Sequence, residues 1–100
     1  MTSDLSIPEL QTALVRLLQA VEQKHGPALL LSEDYYWNVP FGQATSLEGP
    51  PELDLGSASD DLEALSDVRS RPSAEVPVLW HDLDHLAGLL RSIARIDAAN

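Results

Sequence analysis

One hundred residues that include sixteen acidic and six basic side chains give a net charge of −10, and 44% of the residues are hydrophobic. This length and composition predict a single domain, residues 1–100, with one modest core. The chain has no cysteine, which excludes disulfides and thiolate metal sites, and it has no apolar run long enough to span a membrane. We therefore expect a cytoplasmic protein with no membrane contact.

The acidic excess lies in the middle of the chain. Residues 32–75 contain ten acidic and two basic side chains, which places −8 of the total charge of −10 in this segment. Proteins bind nucleic acids and anionic membranes through Lys and Arg, so this segment predicts no nucleic-acid partner. It favours a basic protein partner, although acidity also serves simply to keep a protein in solution.

The first predicted element is a helix over residues 7–25. Ser6 and Glu9 have the S-x-x-E spacing of a capping box, and Gly26-Pro27 supplies the stop signal. The apolar residues of this helix recur at helical spacing: Leu10, Leu14, Leu17, Leu18 and Val21.

The central part of the chain predicts a small antiparallel hairpin. Alternating residues indicate one strand over about 34–39 and a second over about 52–55, which Gly56 would end. Prolines and glycines between residues 40 and 51 indicate an irregular connection.

Three adjacent aromatic residues, Tyr35, Tyr36 and Trp37, lie in the first strand. Two interpretations remain open. They form an exposed recognition surface, since Tyr and Trp supply large and stiff contact areas. Alternatively, they anchor the strand onto the helices, with Trp80 packed beside Trp37.

Two further helices are predicted, over about residues 59–70 and 80–96. Ser57 and the acids after it are typical of a helix start, and Asp67 and Arg71 have the spacing of an i,i+4 ion pair. The face of the last helix that we expect to be buried consists of Leu83, Leu86, Ala87, Leu89, Leu90, Ile93, Ala94 and Ile96. The residues expected to face water are Asp84, His85, Arg91, Ser92 and Arg95.

Gly88 lies inside this helix, where glycine costs about 1 kcal/mol relative to alanine. Either another part of the chain approaches closely at this point, or the position faces solvent and tolerates glycine.

The predicted fold is therefore α+β and mainly helical. It has three helices, at about 7–25, 59–70 and 80–96, and a two-stranded antiparallel hairpin, at about 34–39 and 52–55.

The strongest candidate for chemistry is His81-Asp82-Leu83-Asp84-His85. Histidines at i and i+4 lie one turn apart on a helix, so His81 and His85 could share a divalent metal such as zinc, with Asp84 or Asp82 as a third ligand. The alternative is that these residues only cap and solvate the start of the helix. Known catalytic motifs are absent, so no catalytic residue and no cofactor are expected unless a metal binds here.

Our leading hypothesis is a non-enzymatic interaction module of a regulatory, adaptor or toxin-neutralising type that binds a basic protein. The predicted partner-binding residues are Tyr35, Tyr36, Trp37, Asp60, Asp61 and Glu63. The first and third helices each have a wide apolar stripe with little to cover it, so a homodimer through these helices is also expected. The rival hypothesis is a small metal-binding protein or metal-dependent enzyme that uses His81 and His85.

Overall fold

The computed structural model describes residues 3–31, 33–40, 49, 52–72 and 78–99. This part of the chain contains three helices and a two-stranded antiparallel sheet, which confirms the predicted α+β, mainly helical fold. The chain divides into two compact units, Met1–Leu30 and Leu31–Asn100.

The first unit is built on one helix, α1 (Ile7–His25), whose bounds match the prediction. The Ser6 hydroxyl accepts a hydrogen bond from the backbone N–H of Glu9, as a helix cap requires. The helix ends at Gly26, whose φ of 91° lies in the left-handed region that favours glycine.

The second unit begins with the hairpin formed by β1 (Tyr35–Asn38) and β2 (Asp54–Ser57). In its register Tyr36 faces Gly56 and Trp37 faces Leu55. The second strand begins two residues later than predicted, and Gly56 lies inside it rather than ending it. The physical reason is that the Tyr36 ring covers Gly56, a position where a Cβ would collide with that ring. The irregular connection predicted for residues 40–51 lies almost entirely outside the described residues.

The strand β2 leads directly into α2 (Ala58–Ser70), which packs against α3 (Leu79–Ala98). The Ser57 hydroxyl caps α2 as predicted, because it accepts a hydrogen bond from a backbone N–H in the first turn. The predicted Asp67–Arg71 pair is confirmed at 2.5 Å, and Arg71 also reaches Asp82 on α3 at 2.9 Å. Arg71 thus joins the end of one helix to the start of the next.

Only part of the apolar face predicted for α3 is covered. Half-buried are Leu86, Leu89, Ile93 and Ile96, and the other members of that face are exposed. Gly88 and Ser92 are buried, and His85 is half-buried, whereas Leu83 remains 63% exposed. At Gly88 the Tyr36 hydroxyl of β1 and the Asp61 carboxylate of α2 approach the α3 backbone so closely that a Cβ would collide with them. The prediction that Ser92 and His85 face water was therefore wrong, as was the burial of Leu83.

Among the described helices, none combines the length and the apolar character needed to cross a membrane.

Candidate functional site

The polar centre of the second unit is a buried carboxylate. Asp61 is 1% exposed, and its two oxygens have different partners: Tyr36 Oη donates to Oδ2 at 2.5 Å, and His85 Nδ1 lies 2.7 Å from Oδ1. We call these three residues the Asp61 network. It joins β1, α2 and α3, so one side chain from each element meets at a single point.

Both partners of the carboxylate act as donors. An ionised carboxylate can only accept hydrogen bonds, so the Nδ1 atom of His85 carries the proton in this pair. Burial raises the pKa of Tyr36 well above its ordinary value, and the hydrogen bond to Asp61 and the negative charge of Asp61 raise it further. Tyr36 is therefore a neutral donor at physiological pH. The Arg95 guanidinium lies 5.5 Å from the centre of its ring, within the range of a cation–π contact.

Two glycines make room for the Tyr36 side chain. A Cβ at Gly56 would lie closer than 3.0 Å to the Tyr36 ring, and a Cβ at Gly88 would lie closer than 3.0 Å to both Tyr36 Oη and Asp61 Oδ2. Real Cβ atoms essentially never approach so closely. Gly88 is therefore explained by close approach of two side chains, which was one of the two interpretations open from the sequence.

The two histidines of α3 lie together beside this network. The rings of His81 and His85 meet edge to face, with 4.7 Å between their centroids, and the Trp80 ring lies edge-on to His81 at 5.5 Å. His81 is exposed, whereas His85 is half-buried. The predicted one-turn spacing thus does bring the two imidazoles into contact.

The carboxylate beside them is not the one that the sequence suggested. Asp84 is exposed on α3, whereas Asp61 reaches His85 from α2, twenty-four residues away in the chain. Asp82 binds Arg71, and that hydrogen bond lowers the pKa of Asp82. Within the described ranges, no three His, Asp or Glu side chains are arranged to hold a metal ion.

A second cluster fixes the junction between the hairpin and α2. The Asp34 carboxylate accepts hydrogen bonds from the backbone N–H and the hydroxyl of Ser59, both at 2.8 Å, and its backbone carbonyl accepts from the N–H of Ala58 at 2.7 Å. The backbone hydrogen bond from Ser59 is the main reason that the pKa of Asp34 is lowered. Sequence reasoning found the local cap, Ser57, but it could not find a cap supplied from a distant segment.

The outer face of the hairpin is the third feature of this unit. Side chains alternate along a strand, so Tyr36 faces inward whereas Tyr35 and Trp37 share the outer face. Leu55 joins them there because it is the register partner of Trp37. All three outer residues are exposed, at 69% for Tyr35, 68% for Trp37 and 59% for Leu55. We call Tyr35, Trp37 and Leu55 the hairpin patch.

No protein-family model, no curated protein and no solved structure matches the chain. Function must therefore be argued from the site itself.

The structure separates the six residues predicted to bind a partner into three pairs. Tyr36 and Asp61 belong to the interior, where they hold the Asp61 network together. Tyr35 and Trp37 are on the hairpin patch and line one groove with Arg95, whereas Asp60 and Glu63 line a different groove with His81. Tyr35 and Trp37 therefore do not share a groove with Asp60 and Glu63, whereas Tyr36 lines a further groove with Asp60 and Asp61.

The packing of Trp80 beside Trp37, which one of the two interpretations included, is not found in the structure. Trp37 is exposed on the hairpin patch, and Trp80 contacts His81 instead. The anchor of the strand is Tyr36, the middle one of the three aromatics. A signal in the sequence could have indicated this: Gly56 and Gly88 are glycines inside regular elements, which often mark a close approach by a bulky side chain.

Proposed function

We propose that the chain is a small acidic protein-interaction module that binds a basic protein partner through the hairpin patch. The observation that carries this proposal is the exposure of Trp37 beside Tyr35 and Leu55 on one face of a two-stranded sheet. Clustered exposed apolar side chains with a polar rim are typical of interaction sites, and Trp and Tyr supply much of the binding energy at such sites.

The hairpin patch is held in position from behind. Tyr36 follows Tyr35 and precedes Trp37 in β1, and its hydroxyl is fixed to the buried Asp61 carboxylate at 2.5 Å. A side chain displayed on a fixed backbone loses less entropy on binding than one on a mobile loop. The hairpin therefore presents its aromatic side chains in a form suited to recognition.

Charge favours a basic partner over a neutral or an acidic one. Three acidic residues, Glu33, Glu52 and Asp54, are exposed on or beside the strands of the hairpin. Asp60 and Glu63 add negative charge on α2. Negative charge around an apolar centre accelerates association with a positively charged surface and repels acidic competitors. The overall charge of −10 acts in the same direction.

The test uses two matched tryptophan substitutions. Trp37→Ala removes the centre of the hairpin patch, whereas Trp80→Ala removes a tryptophan that is also exposed but lies on α3. Proteins captured by the wild-type chain from its native source at low salt are purified, and the dissociation constant of each is measured. We expect a basic protein whose affinity falls about 30-fold with Trp37→Ala, equivalent to a central contact of about 2 kcal/mol.

Two further results belong to the same prediction. Trp80→Ala should bind as well as the wild type, and raising the salt concentration should slow association because exposed charges are screened. Equal binding by Trp37→Ala and the wild type would contradict the proposal. An acidic partner, or an association rate that does not change with salt concentration, would also contradict it.

A further inference from the structure

The histidine pair on α3 has a feature that the interaction proposal does not use. Among the described residues, His85 makes its hydrogen bond through Nδ1, to Asp61, and no hydrogen bond reaches its Nε2. His81 contacts neighbouring rings only, so its ring nitrogens have no hydrogen-bond partner in the described ranges. Two imidazoles in contact therefore both retain a nitrogen that can act as an acceptor or a metal ligand.

The Asp61–His85 contact resembles the arrangement that proteins use around metal ligands. A histidine that binds a metal through one ring nitrogen usually donates its other N–H to a carboxylate or a carbonyl, which fixes the tautomer and makes the free nitrogen a better ligand. Here the carboxylate is buried and is itself fixed by Tyr36 at 2.5 Å. The hydrogen bond between Nδ1 and Asp61 leaves Nε2 as the ligand atom whenever the His85 ring is neutral.

The position of the second ring completes the argument. His81 precedes His85 by one helical turn, and the centroids of the two rings are 4.7 Å apart. This separation and the one-turn spacing are compatible with one nitrogen of each ring binding a shared ion after rotation of the exposed His81 side chain. Exposed acids nearby, Asp60, Glu63 and Asp84, concentrate cations at this surface.

We propose that His81 and His85 bind one divalent transition-metal ion of the zinc class, with Asp61 as the positioning residue for His85. Only two protein ligands are available in the described part of the chain, so water or a ligand from another molecule completes the coordination. Asp82 is not part of the site because it binds Arg71. This inference needs no partner at the hairpin patch, although Leu55 of that patch lines a groove with His81 and His85.

The chain offers its own control, because it has three histidines and the third, His25, is on α1. Untagged protein freed of metal by a chelator is titrated with Zn²⁺ alone, and binding is followed by calorimetry and by NMR of the histidine rings. We expect saturable binding of one ion per chain, or one per two chains if an ion is shared, with shifts of the His81 and His85 ring nitrogens only. His81→Gln should abolish binding, and His25→Gln should leave it unchanged.

Asp61→Asn tests the positioning role. Removing the carboxylate should weaken Zn²⁺ binding by about 10- to 100-fold, the usual effect of removing such a partner, and should change the tautomer of His85 seen by NMR. If this variant fails to fold, His81→Gln still decides, since His81 is exposed and makes no described hydrogen bond. The inference is overturned if millimolar Zn²⁺ does not shift the two rings, or if His81→Gln binds like the wild type.

Discussion

Gly88→Ala gives the sharpest test of the buried centre, because the expected sign is opposite to the usual one. At an ordinary helix position this change stabilises a protein by about 1 kcal/mol. At Gly88 the new Cβ would lie closer than 3.0 Å to Tyr36 Oη and Asp61 Oδ2. Either α3 must move away from its neighbours, or the Tyr36–Asp61 hydrogen bond must break.

Each of these responses has a known cost. Forcing an extra carbon into a packed site costs about 1–3 kcal/mol, and losing a hydrogen bond to a charged group costs about 1.5–3 kcal/mol. Subtracting about 1 kcal/mol for the better helix propensity of alanine leaves a net loss of about 0–2 kcal/mol when only one cost applies, and a larger loss when both apply. For a domain of this size a loss of 1 kcal/mol lowers the melting temperature by about 4–8 °C.

The assay is urea denaturation followed by circular dichroism, for Gly88→Ala alone and in a Tyr36→Phe background. Tyr36→Phe removes the hydroxyl that the new Cβ would meet, so the second Gly88→Ala substitution should cost less than the first. The reasoning is refuted if Gly88→Ala raises the urea midpoint, as it would on an open helix surface. Strict additivity of the two substitutions would show that the Cβ does not meet the Tyr36 hydroxyl.

Tyr36, Asp34 and Leu83 each allow a further prediction. The pKa of Tyr36 is raised in the folded state, so its contribution to stability is complete below about pH 10 and is lost as the pH rises further. Above that pH, the urea midpoint of the wild type should therefore fall more steeply than that of Tyr36→Phe. The pKa of Asp34 is lowered in the folded state, so its contribution to folding stability is present above about pH 4 and is lost as the pH falls through the folded value. The urea midpoint of Asp34→Asn should therefore fall less than that of the wild type as the pH is lowered. Leu83 lies on an exposed apolar stripe of α3, so if the chain forms homodimers, Leu83→Lys should shift sedimentation toward the monomer, whereas the comparably sized change Leu62→Lys on α2 should not.

The sequence predicted the local structure well because local signals specify it. The capping serines, the Gly26 stop and the Asp67–Arg71 pair act within a few residues, and the structure confirms all of them. The hairpin was found for the same reason, since alternation is a local property. The second strand begins two residues later than predicted.

The candidate site was harder to predict because it is assembled across the chain. Asp61 looked like a first-turn acid of a surface helix, and nothing near it in the sequence indicated that Tyr36 and His85 would enclose it. Apolar periodicity placed Leu83 in the core, but Gly88 and Ser92 permitted a closer approach on another face. The two small residues therefore lie at the most buried positions of α3, whereas Leu86, Leu89, Ile93 and Ile96 are half-buried.

The position of the outer face of β1 should depend on the contacts of its inner face, although the two faces contact different groups. An isolated two-stranded hairpin is marginally stable in water, so the hairpin patch is displayed only as firmly as Tyr36 is anchored to Asp61. If Gly88→Ala releases that anchor, the binding-competent fraction falls and the apparent dissociation constant for the basic partner rises in proportion. We therefore expect Gly88→Ala to weaken partner binding, although residue 88 lies on α3 and the substitution changes no residue of the hairpin patch. A variant with a lowered urea midpoint and an unchanged dissociation constant would show that the outer face keeps its shape without Tyr36, and the proposed link between the buried network and recognition would fail.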